Sequence, residues 1–71
     1  MFLKKSDDNT IMINLDIVMF IKWDKKKTIF FNYLNRRIEP WDYSSEQKAA
    51  EDMEVIKKMT SKRIIIDEEE N

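Results

Sequence analysis

The longest regular pattern in the chain runs from Ile11 to Trp23, where residues alternate with period two. Ile11, Ile13, Leu15, Ile17, Met19, Ile21 and Trp23 fall on one side; Met12, Asn14, Asp16, Val18, Phe20 and Lys22 fall on the other. Such alternation, rich in β-branched and aromatic residues, predicts a strand. Its length favours a bend or bulge midway, near Asn14-Leu15-Asp16. Asp24-Lys25-Lys26-Lys27 interrupts the pattern, and Thr28 to Leu34 resumes it as a second strand. A loop with an odd residue count pairs Ile21 with Ile29, Met19 with Phe31 and Ile17 with Tyr33. An even count would set Met19 against Asn32 and Lys22 against Ile29. Because a one-residue slip moves every side chain to the opposite face, the first pairing is expected, with a three- or five-residue loop.

Asn35-Arg36 reads as the next turn, Asn being the best residue for positive φ in a chain without Gly. A third strand is expected from Arg37 to Tyr43, where Pro40 removes a ladder donor and so marks an edge or a short strand. Ser44 or Ser45 then opens a helix: Ser44 and Gln47 have capping-box spacing, and Glu46 suits the first turn. Ala49, Ala50, Met53, Ile56 and Met59 form one apolar stripe, and Lys57, Lys58, Lys62 and Arg63 gather at the C-terminal end. At the two ends, Met1 to Lys5 reads as a short strand turning at Ser6-Asp7-Asp8-Asn9, and Ile64-Ile65-Ile66 as a β-prone run. The expected fold class is α+β: a three- to four-stranded antiparallel meander followed by one amphipathic helix packed on one face. It forms a single domain over residues 1–66, with a like-charge acidic tail at 67–71 expected to be disordered.

Composition narrows the chemistry. Seventy-one residues leave room for one core, and a chain of this size buries only about 60% of its unfolded surface. Disulfides, metals or self-association usually supplement such a core. The chain has no Cys and no His, which removes disulfides, thiolate sites and imidazole–metal sites and leaves self-association. The absence of Gly removes phosphate-cradling loops. Asp16 is the one acid inside an apolar strand, but no second acid or base accompanies it, so an exposed or bulge position is the expected reading. Asp7-Asp8-Asn9 lacks the Gly and spaced Glu of a calcium loop and reads as a turn. No catalytic residue, metal site or cofactor is therefore expected, and the chain reads as a non-enzyme. The net charge of −1 gives no global field toward nucleic acid or membrane. With no apolar run of membrane-spanning length and no apolar segment behind Met1-Phe2-Leu3-Lys4-Lys5, a cytoplasmic protein is the expectation.

The sheet's second face carries the functional interest. In the expected register, Ile17, Met19, Ile21, Ile29, Phe31, Tyr33 and Ile38 meet the helix. Phe30 stands opposite Trp41 and Asn32 opposite Glu39, so the other face presents Val18, Phe20, Phe30, Trp41 and Tyr43. A single helix covers one face only, and a large exposed apolar patch implies a partner. That partner is a second copy of the chain, another protein, or single-stranded nucleic acid. In the last case bases stack on Phe20, Phe30 and Trp41, while Lys22, Lys25, Lys26, Lys27, Arg36 and Arg37 meet phosphates. A register or strand boundary displaced from this one would instead place the aromatics in the core, and Lys25 to Lys27 also read as a solvated hairpin tip.

The run Ile13-Asn14-Leu15-Asp16-Ile17-Val18, the Lys-rich hairpin and Tyr43-Ser44-Ser45-Glu46-Gln47-Lys48-Ala49 resemble small bacterial and phage proteins with an "INLDxV" strand and an "SSExxA" helix start. The resemblance spans roughly residues 11 to 60 and implies a meander-plus-helix fold in a cytoplasmic or phage setting; it transfers no functional residue. The strand-strand-strand-strand-helix order is also similar to dimeric single-strand binders of the transcriptional-coactivator type. The chain departs from that type in its net acidity and its lack of a basic N-terminal arm. The function these features imply is protein binding or inhibition by a self-associating chain, a phage or mobile-element inhibitor in its specific form. Single-stranded nucleic-acid binding is the alternative.

Overall fold

In the computed structural model, which describes residues 1–66, the long alternating run is broken where its polar positions carry Asn14 and Asp16. The Asn14 side chain accepts the Asp16 N–H at 3.0 Å and caps a 3₁₀ turn over Leu15–Ile17. Before the break, β1 (Phe2–Lys5) and β2 (Asp8–Asn14) form an antiparallel hairpin. After it comes β3 (Val18–Trp23), which pairs antiparallel with β4 (Thr28–Tyr33). The turn changes the phase of the alternation. A bulge at Met19, between the pairs Val18–Tyr33 and Phe20–Asn32, changes it again. Ile17 and Met19, expected against the helix, are thus largely exposed, and Val18 takes the buried place.

Beyond the bulge, Ile21 faces Phe31 and Trp23 faces Ile29. This register has the expected parity but is displaced by two residues, so the face assignment of Ile21, Ile29 and Phe31 is as expected. Asp24 organises the hairpin loop by accepting the Lys26 N–H at 2.7 Å and the Thr28 N–H at 3.2 Å. Lys25 takes the left-handed conformation there, with φ of 64°.

The next turn is where the structure departs furthest from the expected pattern. Tyr33 N–H donates to the Arg37 carbonyl at 2.8 Å, so Leu34, Asn35 and Arg36 all belong to the loop. Three-residue hairpin loops end on a left-handed residue, and Arg36, not Asn35, fills that position with φ of 73°. Asn35 instead accepts the Arg37 N–H through its side chain at 3.0 Å. The third loop residue shifts β5 (Ile38–Asp42) by one position relative to a two-residue turn. Ile29 therefore faces Trp41 and Phe30 faces Pro40. Trp41 moves to the helix side, and Ile38 moves off it.

Ser45 is the helix N-cap, accepting the Lys48 N–H at 3.2 Å, and α1 spans Glu46–Met59. Its stripe of Ala49, Met53 and Ile56 is fully buried, with Ala50 and Met59 packed at the margin. After α1, β6 (Arg63–Ile66) lies parallel to β3, pairing Ile21 with Ile64 and Trp23 with Ile66. The β-prone Ile64 to Ile66 run is thus a strand of the sheet, whose order is β5-β4-β3-β6. Pro40 sits on an edge strand, as its missing donor requires. The fold is α+β: antiparallel strands in a meander with one helix packed on them, extended by a parallel edge strand. The acidic tail at 67–71 lies outside the described residues.

The core forms between the helix, the β1–β2 hairpin and one sheet face. Leu3, Ile13, Leu15, Val18, Ile21, Trp23, Ile29, Phe31, Trp41, Tyr43, Ala49, Met53 and Ile56 make one buried cluster. Phe31 and Trp41 meet edge to face with ring centroids 4.7 Å apart, a favoured aromatic geometry.

Candidate interaction surface

The sheet face away from the core is built by neighbouring strands in two rows. One row runs Arg63, Phe20, Asn32, Ile38 across β6, β3, β4 and β5; the next runs Ile65, Lys22, Phe30, Pro40. Phe20, Lys22, Phe30, Asn32, Ile38 and Ile65 together line a shallow depression of ≈ 440 Å³. Ile38 is 61% exposed, while Phe20, Phe30 and Ile65 are partly exposed. The face is therefore apolar along a diagonal, with Lys22 and Arg63 supplying positive charge and Asn32 an amide.

Of the residues expected on this face, Phe20 and Phe30 are there, with Lys22 beside Phe30 in the second row. Val18, Trp41 and Tyr43 are not: they are buried in the core at 0%, 2% and 5% exposure. Val18 is turned inward by the 3₁₀ break before it, and Trp41 and Tyr43 by the three-residue loop before β5. Lys25, Lys26 and Lys27 occupy the β3–β4 hairpin tip, and Arg36 and Arg37 the β4–β5 loop, at the other end of the strands. The basic residues thus lie at both ends of the apolar face rather than as one rim. Ile38, Pro40, Ile65 and Arg63 belong to the face but were not expected on it. For Ile38 and Pro40 the missing information was the loop length; for Ile65 and Arg63 it was the long-range pairing of β6 with β3.

A second depression of ≈ 440 Å³ is lined by Ile17, Tyr33, Leu34, Asn35, Arg37 and Glu39. At its floor the Glu39 carboxylate accepts from the Tyr33 hydroxyl and from Trp41 Nε1, the latter at 2.9 Å. Burial, followed by the hydrogen bond to Glu39, pushes the Tyr33 hydroxyl up to about 12. Tyr33 is therefore a proton-bearing donor that orients Glu39, not a base.

The titratable groups buried elsewhere form a structural tie. Asp52 lies inside the apolar stripe of α1 and is 4% exposed. Its carboxylate accepts the Tyr43 hydroxyl at 2.8 Å and the Ser6 N–H at 3.0 Å. Lys5 donates to the Asp42 carbonyl, lies 3.4 Å from Asp7 Oδ1 and stands 5.1 Å from the Tyr43 ring centroid. Asp7 in turn accepts the Ser44 N–H at 2.9 Å, and chiefly through that bond its carboxyl is held below the ordinary 3.8. Burial, and then the bond to Asp52, raises the Tyr43 hydroxyl far above its ordinary value. These residues join the β1–β2 turn to the β5–α1 connection and to the middle of α1, and each is engaged with its neighbours. The one sequence sign of this tie was an acid at position 52 within an otherwise apolar stripe.

Asp16 is on the 3₁₀ turn, with its side chain exposed and 2.9 Å from the Met1 amine, which lowers its pKa. Among the described residues, no three His, Cys, Asp or Glu side chains gather closely enough to hold a metal ion, and no helix is long and apolar enough to cross a membrane. Comparison with protein-family models, with curated proteins and with solved structures found no match.

Proposed function

We propose that this chain is a non-enzymatic interaction protein that binds, and in doing so inhibits, another protein through the open face of its sheet. The observation that supports this most is the gathering of Phe20, Phe30, Ile38, Pro40 and Ile65 on the face opposite α1. Large apolar side chains grouped on a surface favour association. The face has aromatic anchors in a shallow depression with charged groups beside them, the usual anatomy of an interface centre and rim. The buried polar groups support a non-catalytic reading: Asp52, Lys5 and Tyr43 are engaged with one another and face the core. A phage or mobile-element inhibitor acting in the cytoplasm is the specific form of this reading, and it rests on the sequence resemblance. The test is quantitative co-purification from a bacterial host with the wild-type chain and a Phe20→Ser/Phe30→Ser variant. Proteins retained by the first and lost by the second support the reading; identical sets for both overturn it.

One observation favours single-stranded nucleic acid as a second reading. Phe20 and Phe30 lie on adjacent strands beside Lys22 and Arg63, offering stacking surfaces next to cations. Because Trp23 and Trp41 are buried on the opposite face, their fluorescence is a poor reporter of such binding. Anisotropy of a labelled oligonucleotide is the suitable measurement. Binding that weakens steeply with salt and is lost in Phe30→Ser supports this reading, and no binding at low salt removes it.

A further inference from the structure

The geometry points to a second binding site, on the opposite side of the sheet from Phe20 and Phe30: the depression over Tyr33 and Glu39 takes an arginine side chain of a partner protein. Its floor holds a charge without a counter-charge. Glu39 stands opposite Phe31 in the β4–β5 ladder, hence on the side of the sheet that carries the core, and is half-buried. Each of its carboxylate oxygens is held by one neutral donor, Oε1 by the Tyr33 hydroxyl and Oε2 by Trp41 Nε1 at 2.9 Å. Among the described residues it takes part in no ion pair. A partly desolvated carboxylate in that state is stabilised by a cation brought to it.

Two features select the cation. A carboxylate offers about four acceptor positions, so Tyr33 and Trp41 leave acceptor capacity on both oxygens. A planar guanidinium meets two such positions at once, whereas an ammonium acts as a single point charge. Beside the carboxylate, Ile17 and Leu34 line the depression of ≈ 440 Å³ and are 50% and 61% exposed. An arginine stem covers apolar surface of this kind while its head makes the polar contact. Leu34 N–H donates to the Ile17 carbonyl at 3.0 Å, which holds the two walls to each other. Because these walls are exposed, the backbone of the bound arginine stays outside, as a side chain of another protein requires. Among the lining residues Arg37 is the one cation; it is exposed and does not pair with Glu39.

This site is distinct from the open face, so its test stands apart from the reading of that face. The probe is N-acetyl-arginine amide, titrated into the isotope-labelled full-length chain and followed by NMR at the Trp41 indole N–H, which donates to Glu39. The Trp23 indole, bonded to the Lys26 carbonyl in the β3–β4 loop, is the internal reference. A saturable shift at Trp41 without one at Trp23 is expected, half-complete at about 1 mM for a ligand of this size. The neutral isostere N-acetyl-citrulline amide should bind at least about tenfold more weakly, as should the arginine probe to Glu39→Gln. N-acetyl-lysine amide should also bind more weakly than the arginine probe. No saturable shift at Trp41 overturns the proposal. So does an equal response of the wild-type chain to the arginine and citrulline forms, a comparison that needs no variant to fold. A lysine form that binds as tightly as the arginine form overturns the choice of arginine. Unblocked arginine that binds much more tightly than the probe marks a free amino-acid site, and binding confined to Arg37→Ala means that Arg37 itself fills the depression; either result overturns the assignment.

Discussion

Phe30 and Phe31 are consecutive residues of one strand, yet they belong to different parts of the protein's physics. Phe31 is 0% exposed and stacks edge to face on Trp41. Phe30 lies partly exposed beside Lys22 and Pro40, across the depression from Ile38. The same contrast extends over the sheet: Ile21, Ile29 and Trp41 face the helix and hairpin, while Phe20, Ile38 and Ile65 do not. Hydrophobicity along the sequence is similar for both sets, so it does not separate core residues from open-face residues. Strand phase and loop length do.

Substitution at the two phenylalanines sharpens this contrast most. Phe31→Ala should cost about 3–5 kcal/mol, a large part of the stability of a small domain, and urea unfolding should show a largely unfolded population. Phe30→Ala should cost about 1 kcal/mol and leave the native circular dichroism spectrum unchanged. Equal losses at the two positions would mean that both faces are core.

The core side also depends on its buried polar tie. Asp52→Ala leaves the Tyr43 hydroxyl and the Ser6 N–H without their acceptor, and an unpaired buried polar group costs about 1–3 kcal/mol. The loss should appear as a lower unfolding midpoint, with Tyr43→Phe relieving part of it in the double variant. Acidification probes the same tie. The Asp7 carboxyl titrates below its ordinary 3.8 in the folded chain, chiefly because it accepts the Ser44 N–H. Its contribution is therefore fully present above that ordinary value and is lost as pH falls through the lower folded one. Stability measured from pH 5 downward should decline less steeply in Asp7→Asn than in the wild type.

The smallest expected effect is at the loop that decides which β5 residues lie on which face. Arg36 holds φ of 73° without being Gly. Arg36→Gly should remove that strain and raise stability by up to about 1 kcal/mol, as read from the urea midpoint. A loss instead would mean that the Arg36 side chain, not the loop geometry, fixes the turn.

Much of the fold was legible in the sequence because period-two alternation and an apolar helical stripe are local signals. The hairpin parity of β3 with β4, an edge or short strand at Pro40 and a helix opening at Ser44 or Ser45 all follow from nearest-neighbour physics, and the structure takes Ser45 as the cap. The open face was only partly legible. Phe20 and Phe30 could be placed, since they flank a loop whose parity the apolar residues dictate. Val18, Trp41 and Tyr43 could not, because a 3₁₀ turn and one extra loop residue each shift phase without changing composition. Without Gly, the left-handed positions at Lys25 and Arg36 carry no sequence mark. Arg63 and Ile65 join the face only through the parallel pairing of β6 with β3, a contact that local pattern does not encode.

The separation of the two faces is tested most directly by the Phe20→Ser/Phe30→Ser variant, read for stability and partner retention in the same preparation. The account predicts an unfolding midpoint close to the wild type, far above that of Phe31→Ala, together with loss of the co-purifying partner. A collapse of stability comparable to Phe31→Ala, or full retention of the partner by a stable double variant, would contradict it.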